Sequence, residues 1–288
     1  MARQSFRAWF QAAFAALSNG YWAGFRKGRI YSGPTKQFCL PGLNCYSCPG
    51  ALGACPIGAL QAVLGSRQFM FSCYVIGFLM VVGALCGRFV CGWLCPFGLV
   101  QDLLHKIPWP RKLRALPGER FLSRMRYVVL AVLVVLLPLF LVDALGQGAP
   151  WFCKLLCPAG TLGGGVPLML TNAPLRAQAG LLFFWKLFVL LALLTLSVFL
   201  YRPFCKYLCP LGAIYALLNR VSLYKLAVDG GKCTHCGTCA RVCRMGVRPD
   251  VRPNAAECIR CGDCVKNCPE NALHAGFCGG AARERRDG

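Results

Sequence analysis

Residues 233–269 read CTHCGTCARVCRMGVRPDVRPNAAECIRCGDCVKNCP, and this stretch decides how the rest of the chain is interpreted. It contains two runs with the same spacing, Cys-x2-Cys-x2-Cys-x3-Cys, one over residues 233–243 and one over residues 258–268. Zinc sites usually combine two Cys-x2-Cys pairs with a longer gap. Eight thiols at the spacing found here therefore indicate iron–sulfur clusters rather than zinc or disulfides.

The spacing is that of bacterial two-cluster ferredoxins, in which the fourth Cys of each run binds the cluster of the other run. In this pattern, the ligands of a first [4Fe–4S] cluster are Cys233, Cys236, Cys239 and Cys268. A second cluster takes Cys258, Cys261, Cys264 and Cys243. Arg244 follows the first run where Pro269 follows the second, so we expect the two turns to differ. We predict an α+β ferredoxin-like domain over residues 229–276 and a basic tail over 277–288.

The rest of the chain is apolar and basic. Of 288 residues, 57% are hydrophobic and only 15% are charged, yet the formal net charge is +22. This combination indicates a membrane protein with positively charged cytoplasmic loops, and no nucleic-acid partner is expected. The 21 cysteines point to a reducing cytosol, because cluster assembly needs free thiols.

Four stretches of residues 1–228 are predicted to be membrane helices: 8–25, 69–87, 127–145 and 181–200. The last three come close to the ~20 apolar residues that a helix needs to cross a bilayer. Ser18 and Asn19 interrupt the first stretch, which also suits an interfacial helix. Pro138 is expected to kink the third. The predicted fold class is an α-helical integral membrane protein with about four transmembrane helices and a C-terminal two-cluster ferredoxin-like domain.

The distribution of basic residues predicts the orientation in the inner membrane. Residues 88–126 carry eight Lys or Arg, whereas residues 146–180 carry two. The positive-inside rule therefore places 88–126 and 201–288 in the cytoplasm, and 146–180 and 26–68 outside.

A Cys-Pro-x-Gly motif occurs four times, in ACPIGALQAVL (54–64), LCPFGLVQDLL (94–104), LCPAGTLGGGV (156–166) and LCPLGAIYALL (208–218). The last three have a second Cys four residues earlier. In the predicted topology the motifs lie outside, inside, outside and inside. The chain therefore looks like a duplication whose pseudo-twofold pairing brings the two inner motifs together and the two outer motifs together. In membrane proteins built from internal repeats, functional sites commonly lie at the interface between the repeats.

The inner motifs supply four thiols, the number that a third [4Fe–4S] cluster needs: Cys91, Cys95, Cys205 and Cys209. The predicted outer set is Cys48, Cys55, Cys153 and Cys157, with Cys39 and Cys45 as competing ligands. A disulfide is the alternative for the outer set. The Pro and Gly of each motif suit both a loop around a cluster and a tight helix start. The isolated thiols Cys73, Cys86 and Cys278 are interpreted as small apolar core residues.

The helix predicted after the second motif carries Gln101, Asp102 and His105. They suit an ordinary polar helix face, and alternatively a quinone headgroup site. The sequence contains no Rossmann fingerprint, P-loop or Ser-His-Asp set, so no catalytic residue is predicted.

The ordered combination of CGWLCP (91–96), CKYLCP (205–210) and the runs at 233–243 and 258–268 resembles the membrane-bound ferredoxin-type proteins of the NapH and NosR kind. The resemblance covers residues 70–276. It implies electron transfer between the quinone pool and a redox partner and, by analogy only, a quinol dehydrogenase role. The outer cysteines are not part of the NapH pattern, and there is no flavin domain like that of NosR.

We therefore expect a membrane-bound electron-transfer protein. It would pass single electrons between the cytoplasmic ferredoxin-like domain and a quinone or an extracytoplasmic redox partner. The alternative is an accessory or maturation factor that supplies electrons or metal to a partner redox enzyme. A transporter is disfavoured, because the predicted spans contain no acidic residue besides Asp143.

Overall fold

The computed structural model describes residues 2–66, 73–110, 112–113, 116–143 and 147–277. This part of the chain is mostly helical, and it ends in a small unit that contains a two-stranded sheet.

The N-terminal region is helical but broken. It contains α1 (Ala2–Ser18), α2 (Trp22–Lys27), a 3₁₀ turn (Pro34–Gln37) and α3 (Pro56–Leu64). The side chains of Ser18 and Asn19 both donate to the carbonyl of Ala15, at 3.1 and 2.9 Å, and such bonds compete with helix continuation. The predicted span 8–25 is therefore not one helix. Instead, α1 buries Arg7 and Gln11 against the interior of the protein.

The first half of the helical core follows. It consists of α4 (Cys73–Cys86), α5 (Phe89–Trp93), α6 (Pro96–His105), α7 (Glu119–Val129), a π-helical stretch (Leu130–Leu136) and α8 (Leu137–Phe140). The second half consists of α9 (Trp151–Leu155), α10 (Pro158–Gly160), a π-helical stretch (Thr161–Gly165), α11 (Val166–Thr171), α12 (Ala173–Ala177), α13 (Leu181–Phe199), α14 (Pro203–Tyr207) and α15 (Pro210–Leu218).

Two helices among the described residues are long and apolar enough to cross a membrane, Phe121–Phe140 and Leu181–Phe199. They coincide with the predicted spans 127–145 and 181–200. The described part of the predicted span 69–87 is the 14-residue helix α4, and residues 69–72 lie outside the described ranges. The structure thus gives two candidate spans, and the predicted number of four is not confirmed.

Pro138 does not break its helix. The π-helical stretch Leu130–Leu136 lies immediately before it, and Pro167 similarly follows the π-helical stretch Thr161–Gly165. Proline lacks the amide that an α-helical bond needs, and a local change of helical pitch accommodates this loss.

Each Cys-Pro-x-Gly motif starts a helix. The Cys is the N-cap residue and the Pro is the first helical residue of α3, α6, α10 and α15, the position that proline tolerates best. The glycine amide donates to the cap sulfur at 3.3 Å in two of them, from Gly160 to Cys157 and from Gly212 to Cys209. The repeated motif is thus a cysteine-capped helix start.

The C-terminal unit has the predicted α+β composition. It contains β1 (Tyr224–Val228), α16 (Thr238–Val242), α17 (Asp263–Lys266) and β2 (Leu273–Phe277). The strands are antiparallel, with Tyr224 opposite Phe277 and Val228 opposite Leu273, so the unit begins before the predicted boundary at residue 229. Residues 278–288 of the predicted tail, including Cys278, lie outside the described residues.

The ferredoxin-like unit is docked on the loops that were predicted to be cytoplasmic. Arg126 forms an ion pair with Glu257 at 2.9 Å, and Arg88 donates to the carbonyl of Ala256 at 2.9 Å. Ile259 is buried in the same core as residues of α4, α5, α6 and α15. The second cysteine run therefore faces the helical core.

A buried charge network joins α1, α6 and the start of α14. Asp102 lies 2.8 Å from Arg7 and accepts two bonds of 2.6 Å from Arg202. Arg202 has a φ of 50° although Pro203 follows it, a conformation that costs about 1–3 kcal/mol. The two bonds to Asp102 hold it there.

We expect Asp102→Ala to destabilise the protein by about 3–5 kcal/mol, because it leaves Arg202 buried without its counter-ion. Thermal unfolding of the detergent-solubilised protein, followed by circular dichroism, measures this loss. Lys232→Ala is the control: it removes an exposed pair with Asp229 at 3.9 Å and should cost less than about 1 kcal/mol. Equal midpoints for the two variants would contradict the structural role of the network.

Candidate metal centres

The first ferredoxin site lies at the surface. One pocket is lined by the thiols of Cys233, Cys236, Cys239 and Cys268, which are the four ligands predicted for the first cluster. Cys236 is exposed, and a hydrogen bond with the Thr238 hydroxyl lowers the pKa of its thiol. This site is accessible to a soluble partner.

The second ferredoxin site is the more buried of the two: Cys264 is buried, and Cys243, Cys258 and Cys261 are half-buried, with none exposed. Burial, together with the thiols of Cys258 and Cys243, raises the pKa of Cys264 to about 12. Burial raises the pKa of Cys261 even further, and Cys258 is among its neighbours. Cys243 therefore lies near Cys258 and Cys264 of the second run, and the crossed ligation stays a prediction.

The two runs share a backbone pattern. His235 and Arg260 occupy the same position in their runs, and each has a φ of 52°. Gly237 and Gly262, which follow the second Cys of each run, have φ values of 71° and 82°. The Arg260 guanidinium also donates to the carbonyl of Cys86 at 2.8 Å, so this turn anchors the second site to the end of α4.

The two inner motifs lie together in the structure. Cys91, Cys95, Cys205 and Cys209 are all buried. Burial, followed by the thiols of Cys205, Cys91 and Cys95, raises the pKa of Cys209 well above its ordinary value. We call these four residues the inner quartet.

Two arginines cross between the inner motifs. Each stands three residues before the first Cys of one motif and reaches the backbone of the other. Arg88 donates to the Cys205 carbonyl at 2.9 Å, and Arg202 donates to the Cys91 carbonyl. Both side chains are fully buried. Their positive charge lies beside the thiols, where it opposes the effect of burial on the pKa of Cys91.

Gln101 contacts a ligand thiol. Its amide nitrogen donates to Cys205 Sγ at 3.1 Å, and its amide oxygen accepts from the Phe204 N–H at 3.2 Å. Neither a solvated polar face nor a quinone site describes it. Asp102 belongs to the charge network, and the His105 ring packs against Tyr201 at 5.4 Å. Two sequence signals could have identified the glutamine and the arginines. One is a Gln at the sixth position after the Cys of the first two Cys-Pro motifs, and the other is Arg-x-x-Cys in both inner motifs.

The outer cysteines surround a cavity of about 920 Å³. Five thiols line it: Cys39, Cys45, Cys55, Cys153 and Cys157. Cys48, a member of the predicted outer set, instead donates to Asn19 Oδ1 at 3.5 Å. Cys73 and Cys86 were interpreted as core residues, but Cys73 is exposed and Cys86 is half-buried.

The donor groups suit iron–sulfur clusters, because the inner quartet and each ferredoxin site offer four thiols and a cube binds four thiolates. Among the described residues, no three His, Cys, Asp or Glu side chains gather as they would around one metal ion. The buried Arg88 Nε has no hydrogen-bond partner in the described part of the chain, which is consistent with an acceptor between the inner thiols.

Comparisons with known proteins point the same way. A family described as a 4Fe-4S binding domain matches residues 67–117 and 181–227, the two stretches that contain the inner motifs. A second family with the same description matches residues 251–274, around the second ferredoxin run. No solved structure matches the chain.

Three relatives cover most of the chain. The Methanocaldococcus jannaschii protein MJ0750, whose function is uncharacterised, is 30% identical over 68% of this chain and 74% of its own length. The regulatory protein NosR of Pseudomonas aeruginosa is 32% identical over 62% of this chain. The putative electron transport protein YccM of Escherichia coli is 27% identical over 74% of it. The chain spans only 24% of NosR and 56% of YccM.

The crossed ligation predicts different effects for two otherwise similar substitutions. Cys268→Ser should remove the surface cluster, and Cys243→Ser the buried one, each with about four iron per chain. A hydrophilic oxidant such as ferricyanide attacks the exposed cluster first. We therefore expect Cys268→Ser to abolish the fast phase of cluster bleaching in a stopped-flow experiment, and Cys243→Ser to retain it. If Cys243→Ser lost the fast phase instead, each run would bind its own cluster.

Proposed function

Because the chain belongs to the ferredoxin-type [4Fe–4S] protein family, we propose that it is a membrane-bound carrier of single electrons. Its ferredoxin-like domain exchanges electrons with a soluble partner, and the inner quartet relays them between this domain and the membrane. The acceptor or donor at the membrane is a quinone or a redox partner protein.

The observation that carries the proposal is the contact between the second ferredoxin site and the inner quartet. Gly92, next to Cys91, lies so close to Ile259, next to Cys258, that an added Cβ would be 2.3 Å from the Ile259 carbonyl oxygen. Only glycine allows this approach. The Trp93 indole also donates to the Arg260 carbonyl at 3.1 Å. Each of the two contacting residues is next to a predicted cluster ligand in the sequence, so the second ferredoxin site and the inner quartet are neighbours.

Bound iron–sulfur clusters would supply one-electron chemistry at these sites. The residues around the inner quartet meet the electrostatic requirement for holding one. Buried anionic thiolates are costly unless they are paired or hydrogen-bonded, and here Arg88, Arg202 and Gln101 stand beside them. The same positive groups favour the more negative redox state, and therefore raise the reduction potential.

A second cavity offers a place for the membrane-side reactant. It has a volume of about 300 Å³ and is lined by His105, Lys112, Tyr201, Arg244 and Cys243, among others. Small-molecule sites begin at about this volume. The lining residue Tyr201 precedes Arg202, whose guanidinium donates to the Cys91 carbonyl. A quinone headgroup in this cavity would therefore lie on the side of the inner quartet, with Tyr201 and His105 as polar neighbours.

Replacing the inner quartet tests the proposal. We expect a variant with Cys91, Cys95, Cys205 and Cys209 changed to Ser to lose about four iron and four sulfide per chain, while the roughly eight iron of the ferredoxin domain remain. Iron and acid-labile sulfide are measured on anaerobically purified protein. Cys73→Ser, which changes a thiol outside the sites, is the control and should leave both counts unchanged.

The same variant separates the two functions considered. With a reduced soluble ferredoxin in excess as electron donor, wild-type protein in liposomes should reduce a quinone analogue repeatedly, and the quartet variant should not. If the variant kept the full iron content of the wild type, the inner quartet would bind no cluster and would take no part in electron transfer. Full iron in the wild type without quinone turnover would favour the accessory or maturation role instead.

Gln101 should tune the inner site. Gln101→Leu removes an N–H···S bond worth roughly 1 kcal/mol. Because this bond is stronger to the more negative, reduced cluster, its loss should lower the potential of the inner cluster by at most about 40 mV. Potentiometric titration followed by electron paramagnetic resonance measures this shift. The ferredoxin potentials should not move, and Gln178→Leu, at an exposed position, serves as the control. An unchanged inner potential would reduce Gln101 to a packing residue.

A further inference from the structure

The outer cavity repeats the surroundings of the inner quartet. Gln61 Nε2 donates to Cys153 Sγ at 3.3 Å, and Gln61 Oε1 accepts from the Phe152 N–H at 3.0 Å. Gln101 makes the equivalent bonds to Cys205 and Phe204. Gln61 is fully buried and stands at the sixth position after Cys55, as Gln101 does after Cys95. The same device therefore holds the first thiol of a Cys-x3-Cys pair in both places.

The helix starts are also equivalent. Cys55 and Cys157 cap α3 and α10, as Cys95 and Cys209 cap α6 and α15. The Gly160 amide reaches Cys157 Sγ at 3.3 Å. Amides at a helix start stabilise a thiolate. Three of the four thiols that a cluster requires are thus present in the outer cavity: Cys55, Cys153 and Cys157.

The first Cys-Pro motif lacks the partner Cys four residues earlier, and Cys45 supplies the missing thiol. An added Cβ at Gly160 would lie 3.5 Å from Cys45 Sγ and 3.6 Å from Cys157 Sγ. These two sulfurs therefore border the same point beside Gly160. Cys48, nearer in sequence to Cys55, points to Asn19 instead.

We propose that Cys45, Cys55, Cys153 and Cys157, the outer quartet, bind a further [4Fe–4S] cluster, and that Cys48 is not a ligand. The ligand assignment stands on this geometry alone; only its role as the next station in electron transfer rests on the proposed function. The cavity also holds positive groups suited to an anionic cluster. Lys36 and Lys186 line it, and Lys36 is buried with its amine bonded to the Ala51 carbonyl at 2.8 Å.

The two quartets lie close together. An added Cβ at Gly42 would be 3.2 Å from Cys95 Cα, so the loop that carries Cys45 touches the inner quartet. Cys45 is three residues from Gly42, and three residues of extended chain span at most about 11 Å, so the Cys45 backbone lies within that distance of Gly42. Tyr215, on the helix that Cys209 caps, is fully buried and donates to the Pro41 carbonyl at 3.0 Å. This helix therefore contacts the loop that leads to Cys45.

Two alanine substitutions in the same loop test the assignment. In anaerobically purified full-length protein we expect Cys45→Ala to lose about four of roughly sixteen iron per chain, and Cys48→Ala to lose none. A three-iron cluster, with about one iron lost and a new paramagnetic signal in the oxidised Cys45→Ala protein, supports the proposal equally. The roughly eight iron of the ferredoxin domain report that each variant has folded.

Wild-type iron and spectra in Cys45→Ala overturn the proposal, as does a loss confined to Cys48→Ala. Alkylation of the unreduced, denatured wild type followed by mass spectrometry provides a second readout. A Cys45 thiol found in a disulfide overturns the proposal, and a thiol that is free once iron is removed supports it. Since the inner-quartet variant is scored separately, loss of iron there but not in Cys45→Ala leaves the proposed function intact.

Discussion

The structure depends on one constraint: thiolates that bind clusters must be buried among apolar helices without being left uncompensated. Burying an anion costs several kcal/mol unless hydrogen bonds or opposite charges offset it. The chain meets this need locally with the Cys-Pro-x-Gly helix start, whose glycine amide points at the sulfur, and at longer range with Gln101, Arg88 and Arg202. The helices are arranged so that these groups reach the sulfurs.

The duplication explains why each compensating group comes from the opposite half of the chain. Arg88 precedes one inner motif and bonds to the other, Arg202 does the reverse, and Gln101 crosses in the same direction as Arg88. Neither half can then form a satisfied site alone, so assembly of the inner quartet and packing of the two halves are the same event. Asp102 reinforces this coupling, because it holds Arg202 in a strained conformation.

Local spacing made the ferredoxin-like unit predictable, because its ligands lie within one short stretch and the crossed pairing follows from the repeat. The family and the pairing of Cys91 with Cys205 were also accessible from repeated motifs. The break after Ser18 was indicated only as an alternative, because Ser18 and Asn19 can bond locally to the carbonyl of Ala15 and hydropathy does not register such bonds. The choice between Cys45 and Cys48 was not predictable. It depends on how a loop without regular structure packs against Gly160, a tertiary contact to which spacing is insensitive.

The position of that loop also changes the expected electron path. Motifs assigned to opposite faces of a bilayer with a core about 30 Å thick would be poorly placed for direct transfer. In the structure, Gly42 contacts the backbone at Cys95 and Tyr215 donates to the Pro41 carbonyl, so the loop packs against the helices of the inner motifs. The outer cysteines therefore adjoin the inner ones, which themselves contact the buried ferredoxin site through Gly92 and Ile259. A continuous series of thiol sites within one chain follows from these contacts, without a mobile carrier between them.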